Sequence, residues 1–121
     1  MKAIVLLKRR SDITHAQFRH HYETVHAELA HKYLGHLFLD YRRNYPESMD
    51  SQADGSPNPE YAQSPYDAVT EIRYKDREAF LESQRIMSDP VIGQIFAEDE
   101  KNFMDRPSFR IFTCDEIASE L

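Results

Sequence analysis

Residues Ala3 to Leu7 read Ala-Ile-Val-Leu-Leu, apolar at every position. A short run with no polar face is how a central strand reads, covered on both sides. Such a strand needs a neighbour along each edge, so the rest of the chain has to supply the partners. Lys8-Arg9-Arg10 and then Ser11-Asp12 end the run.

Thr14 is placed as an N-cap, with Gln17 three residues later completing a capping box. Phe18, Tyr22, Val25, Leu29 and Tyr33 then recur at spacings of three and four, which predicts one buried helical face. The helix is expected to end near Leu34, with Gly35 taking a left-handed cap conformation. About twenty residues at 1.5 Å each give a rod of about 30 Å, long enough to cross a sheet. Residues 36–45 carry Leu37, Phe38, Leu39 and Tyr41 and read as a second strand closed by Pro46. The stretch 47–65, with Asp50, Asp54, Gly55, Pro57, Pro59 and Pro65, reads as a functional lid or a disordered loop.

Residues 66–74 alternate as a third strand, with Ala68, Thr70, Ile72 and Tyr74 on one face and Asp67, Val69, Glu71 and Arg73 on the other. Asp76 caps a helix to about Arg85, with Phe80 and Leu81 inward. Ser88-Asp89-Pro90 restarts a helical segment whose buried face is Val91, Ile92, Ile95, Phe96 and Phe103. Phe109 to Cys114 is the last strand. The order is β-α-β-β-α-β, an α+β ferredoxin-like chain with a four-stranded antiparallel sheet and helices on one face. It reads as a single domain, 1–121. The mixed face with Asp67, Val69, Glu71 and Arg73 would stay open in a monomer, which predicts a homodimer.

Composition removes several classes of function. The net charge is −6, and the densest basic spots are Lys8-Arg9-Arg10 and Arg42-Arg43, so no nucleic-acid stripe is present. No apolar run approaches the ~20 residues of a membrane span. The first residues do not form a signal peptide, and the expected location is cytoplasmic. The single Cys114 excludes an internal disulfide and reads as a buried small hydrophobe. Three glycines, Gly35, Gly55 and Gly93, form no phosphate-binding loop.

The opening Ile4-Val5-Leu6-Leu7-Lys8-Arg9, the helix Phe18-Arg19-x-x-Tyr22-x-x-Val25-His26-Ala27-x-Leu29-Ala30 and the strand Tyr66-Asp67-Ala68-Val69-x-Glu71-Ile72-x-Tyr74 together resemble the EthD family. Asp76-x-x-Ala79-Phe80 and Phe103-x-Asp105 fit the same pattern, and only 47–65 falls outside it. The resemblance implies a dimeric α/β barrel, in which the sheets of two subunits pack together. It also implies a loose association with oxidoreductase activity, since the name-giving member accompanies an ether-degrading monooxygenase system. Relatives on the scaffold include lactone isomerases and polyketide-modifying enzymes that need no cofactor. Some isomerases on it use a cysteine on the third strand, where this chain has Ile72 and no cysteine.

All six histidines lie between His15 and His36. His21, His26, His31 and His36 are five apart, a step of about 140° in an α-helix, which spreads them round the rod. Glu23-x-x-His26 and Glu28-x-x-His31 have the spacing of di-iron ligand pairs but lack the four-helix bundle such sites use, so no metal is expected. His20 and His31 read as solvated. His26 lies at the edge of the apolar stripe, where an imidazole can reach a cavity between helix and sheet and exchange a proton at neutral pH. The resemblance adds that a matching histidine recurs in the family's helix. Tyr22, Tyr33 and Tyr41 are candidates to line the same pocket, each with an apolar body and a polar tip. Asp67 and Glu71 lie some 13 Å apart at ~3.3 Å per residue, too far for a paired-carboxylate mechanism. Their match to the family suggests a role at the dimer face, pairing with Arg73 or Arg110.

Three functions are compatible with these residues. One is a cofactor-free enzyme that uses His26 for proton transfer on a small aromatic, lactone or polyketide-like molecule. Another is a non-catalytic ligand-binding or accessory protein of an oxygenase system. The third is a haem binder with His26 as axial ligand.

Overall fold

A computed structural model describes residues 1–47, 51–58 and 64–121. Strand β1 (Lys2–Leu7) lies inside a four-stranded sheet of order β2-β3-β1-β4, where β2 is Phe38–Asn44, β3 is Ala68–Tyr74 and β4 is Arg110–Cys114. Every pairing is antiparallel, and Val5 faces Thr70 on one side and Ile111 on the other. The two-sided apolar run is thus central, as its composition requires. Ala3, Val5 and Leu7 point into the helix-covered core together with Ala68, Ile72 and Tyr74.

The first helical rod has three parts: α1 (His15–His21), a π turn (Tyr22–His26) and α2 (Ala27–Leu34). Its start is the capping box expected of Thr14 and Gln17, with both hydrogen bonds formed. The π turn corrects the expected stripe. The amide of Ala27 bonds the carbonyl of Tyr22, five residues back, so one residue is added to that turn and the inward phase slips by one. Buried positions therefore run Phe18 and Tyr22, then Ala27, Ala30 and Leu34, while Val25 is exposed and Leu29 and Tyr33 are half-buried. Thr24 donates its hydroxyl to the His20 carbonyl at 2.7 Å, a side-chain bond of the kind that perturbs a helical ladder.

Gly35 also departs from expectation. It stays right-handed at φ −57° and starts a 3₁₀ turn, Gly35–Leu37, so the chain leaves the helix by tightening it rather than by a left-handed cap. In β2 a register irregularity between Phe38 and Asp40 re-aims the strand. Leu39 is left 60% exposed, and Tyr41 and Arg43 turn to the helix side.

Helix α3 (Arg77–Met87) begins at the expected cap, Asp76 on the amide of Ala79, and α4 (Pro90–Glu100) restarts at Ser88-Asp89-Pro90 as expected, with Asp89 capping the amides of Val91 and Ile92. Two side chains placed inward by sequence are outward. In α3 the buried pair is Ala79 and Ser83, four apart, and Leu81 between them is 43% exposed. In α4 the inward face is set by Phe96 and Asp99 with Ile92, leaving Val91 in the first turn 70% exposed. Cys114 is half-buried rather than buried, because β4 is an edge strand. Among the described residues no helix is long and apolar enough to cross a membrane.

The sheet face away from the helices carries an ionic ladder. Lys2 contacts Glu71 and Glu116 at 2.6 Å each, and Arg73 contacts Glu116 at 2.5 Å. Within the chain Glu71 pairs with Lys2, which the β1–β3 register sets opposite Arg73 and diagonally across from Glu71 on the same face. Asp67 precedes the strand and is bound elsewhere, by the backbone amide of Arg9 at 2.8 Å and by His15 at 3.0 Å. Within 47–65, residues 51–58 form a tight antiparallel turn with Gly55 at φ +88°. The lid or disordered loop expected over 47–65 falls in part on residues 48–50 and 59–63, including Asp50 and Pro59, which lie outside the described residues.

Candidate functional site

Between the sheet and the helices lies a cavity of about 270 Å³. Val5 and Leu7 of β1, Ile72 of β3 and Phe96 of α4 supply apolar wall, and the polar groups are few. The chain order explains this, since every second residue of β1 and β3 points to the same side and is apolar or a small hydroxyl. Two of the three tyrosines anticipated here, Tyr22 and Tyr41, line the cavity with His26. Tyr33 does not. It turns to the far side of Phe96, edge-on at 6.0 Å, with the Lys32 ammonium over its ring.

The hydroxyls form a short chain. Tyr41 donates to the oxygen of Tyr22 across a long 3.3 Å, and Tyr22 shares a 2.8 Å hydrogen bond with Thr70. Burial raises the pKa of Tyr22, only partly offset by its bonds to Thr70 and Tyr41. Burial also lifts Tyr41 well above the ordinary phenol value, with the Tyr22 phenol beside it acting in the same direction. Both phenols therefore stay protonated at neutral pH and serve as neutral hydrogen-bond groups.

On the same rod, His26 is held from behind by a residue that the sequence did not single out. Its Nδ1 lies 3.0 Å from one carboxylate oxygen of Asp99, while Nε2 of His21 lies 2.8 Å from the other. Residues five apart would diverge by about 140° on an α-helix. The π turn closes i to i+5 instead and brings His21 and His26 to one carboxylate. Asp99 is only 7% exposed. Burial disfavours its charge, but the hydrogen bonds from His26 and His21 prevail and hold its pKa below the usual carboxyl value. As Asp99 is a carboxylate, it accepts from Nδ1 of His26, which fixes that proton and leaves the lone pair on Nε2. Among the described residues no hydrogen bond engages Nε2, and no buried side-chain nitrogen or oxygen lacks a partner. Nε2 is therefore accessible from the cavity. The arrangement is that of a base oriented by a carboxylate.

Phe103, fully buried, packs on both imidazoles, with centroids 4.7 Å from His21 and 5.0 Å from His26. At the cavity's other edge, Arg43 lies over the Tyr41 ring at 4.7 Å and grips Glu23 through two hydrogen bonds of 2.5 and 2.9 Å. Tyr45 also donates to Glu23. The Arg43 guanidinium, with help from Tyr45 and against a smaller opposing effect of burial, lowers the Glu23 pKa to about 2. Glu23 is thus paired with Arg43. Among the described residues no group of three or more His, Cys, Asp or Glu could hold a metal ion.

No Lys or Arg among the described residues lines the cavity, and its one carboxylate is Glu100. The volume lies just below the usual range for drug-sized ligands, about 300–1,000 Å³. A sequence signal for Asp99 existed only in part. It sits three residues after Phe96 on the inward face of α4, where a carboxylate stands out, but nothing local indicates its partners.

The EthD domain model matches residues 10–107. None of the curated proteins matches the chain. Among solved structures, an EthD family protein from Bacillus halodurans C-125 has a TM-score of 0.60 at 22% identity, covering 96% of this chain and 97% of its own. A hypothetical Arabidopsis thaliana protein reaches 0.58 at 14% identity over 99% and 90%, and an EthD-like protein from Ralstonia eutropha JMP134 reaches 0.57 at 16% over 92% and 88%. The family model spans the rod with His21 and His26, strands β2 and β3 and Asp99, and by that match the chain belongs to the EthD domain family.

Proposed function

We propose that the cavity binds a small, uncharged, largely apolar organic molecule, and that His26 acts on it as a general base without a cofactor. The observation that carries this reading is the free Nε2 of His26 in an apolar cavity, with Asp99 fixing the proton on Nδ1. The His26 and Tyr22 rings lie 5.5 Å apart, and the Tyr41 hydroxyl is held only by its long bond to Tyr22. A substrate carbonyl can take the Tyr41 hydrogen while the carbon next to it approaches His26. Nε2 then removes the proton from that carbon, and the electron pair moves to the carbonyl oxygen as an enolate stabilised by the phenol. Enolisation of this kind begins isomerisation, dehydration and oxygen-dependent oxidation alike, so the reading covers aromatic, lactone and polyketide-like compounds. Cations are absent from the described walls, which favours neutral substrates over carboxylates.

The protein is also read as a homodimer, formed through the open sheet face where Ile4, Leu6 and Val69 are half-buried and Phe112 is 48% exposed. Analytical ultracentrifugation tests this, with a monomer at micromolar concentration as the contrary result.

The test of the site is a thermal-shift screen of neutral lactones, cyclic ketones and phenolic ketones, followed by deuterium exchange of any binder in heavy water. Wild type should catalyse exchange at the carbon beside the carbonyl, and His26→Gln should bind the same compound yet lose about 100-fold or more of the rate. Equal exchange in both proteins would remove His26 as base and put the accessory, ligand-binding reading ahead.

A further inference from the structure

His21 and His26 share one carboxylate but open onto different places. His26 lines the internal cavity, whereas His21 lines a surface hollow with Ile13, Gln17, His20 and Asn102. The side chain of His21 is 23% exposed and that of His26 12%. Asp99 lies between them with one oxygen on each ring, and Phe103 covers both. The other charged or titratable groups facing the pair are Glu100 from α4, Tyr22 from their own rod, Tyr41 from β2 and His20 in the hollow. Glu100 is itself engaged by Arg106 at 3.3 Å.

One buried carboxylate balances one imidazolium. A second positive charge within the same contact is opposed by the first. We propose that His21, Asp99 and His26 form a proton-exchange relay between the cavity and solvent, made possible by the π turn that brings positions 21 and 26 to the same carboxylate.

The steps balance without breaking any bond at Asp99. With His21 charged and His26 neutral, Nε2 of His26 takes a proton from a molecule in the cavity and the ring becomes an imidazolium. His21, now repelled across Asp99, releases its Nδ1 proton to water at the surface. One proton has entered the pair and one has left, and its net charge is unchanged. Return of a proton to the product runs the same steps backward. The charge gained by His26 is thereby offset at the surface, while the proton itself stays on Nε2 until the product takes it. In this role His21 and Asp99 are positioning and exchange residues that act through His26.

The proposal rests on the reading of His26 as the cavity's base, but its test uses the ligand-free protein. The relay can therefore fail while the cavity still binds and reacts, and the converse also holds. The measurement is ¹⁵N NMR of histidine-labelled protein against pH, for wild type, His21→Gln and His26→Gln. In wild type the neutral form of His26 should carry its proton on Nδ1, and the two rings should titrate in linked steps. Removing either ring should strengthen proton binding at the other by about tenfold or more, and by the same factor in both directions, as reciprocity of coupling requires. A purely structural hydrogen bond would not produce that equality. The proposal is overturned if neutral His26 carries its proton on Nε2, or if each ring titrates identically with and without the other.

Discussion

Glu23→Gln isolates the ion pair that braces the cavity's edge. The Glu23 pKa falls from an ordinary 4.5 to about 2, a preference for the charged form worth about 3 kcal/mol before solvent is considered. The carboxylate remains 37% exposed, so screening by water reduces its net contribution to about 1 kcal/mol. The sign follows from linkage. Above pH 4.5 both folded and unfolded chains carry the carboxylate, and the stabilisation by Arg43 is present in full. As the pH falls from 4.5 towards 2, the unfolded chain takes up a proton that the folded chain refuses, and that stability is lost progressively. Urea unfolding of wild type and Glu23→Gln should therefore differ by about 1 kcal/mol at pH 7, and the gap should close towards pH 2, where protonated Glu and Gln are nearly isosteric. Every other carboxylate is common to both proteins and cancels. A gap that is absent at pH 7, or that persists unchanged in acid, would refute the argument.

Gly93→Ala reverses the usual rule that alanine stabilises a helix interior by about 1 kcal/mol. A Cβ there would stand 2.6 Å from the backbone carbonyl oxygen of Met87, so α3 and α4 must part and thermal unfolding should show a loss. Phe103→Ala empties the fully buried ring under both imidazoles and should destabilise by about 3–5 kcal/mol in chemical denaturation. Asp89→Ala leaves the amides of Val91 and Ile92 without their cap and should lower stability by about 1 kcal/mol in the same assay.

The local signals in this chain were read correctly where the interaction is itself local. Thr14 with Gln17, Asp76 and Asp89 are caps because a side chain reaches an amide two or three residues away, and the sequence contains both partners. The alternation of Ala68, Thr70, Ile72 and Tyr74 is likewise a property of the strand alone, and the apolar run of β1 marks it as a strand with a partner on each edge. Together with the helical spacing they determine the α+β order and the face on which the cavity forms. The phase of the first rod was not legible beyond Tyr22, because a π turn and an α turn there have the same composition and differ by one hydrogen bond. That single slip exposes Val25 and lets His21 meet His26 across a shared partner. Asp99, 73 residues from His26 in sequence, became a site residue only when α4 packed against the rod. His26 could be proposed from its own position. The proton it holds and the nitrogen it presents were decided by tertiary contact with Asp99, since no local interaction reaches that far along the chain.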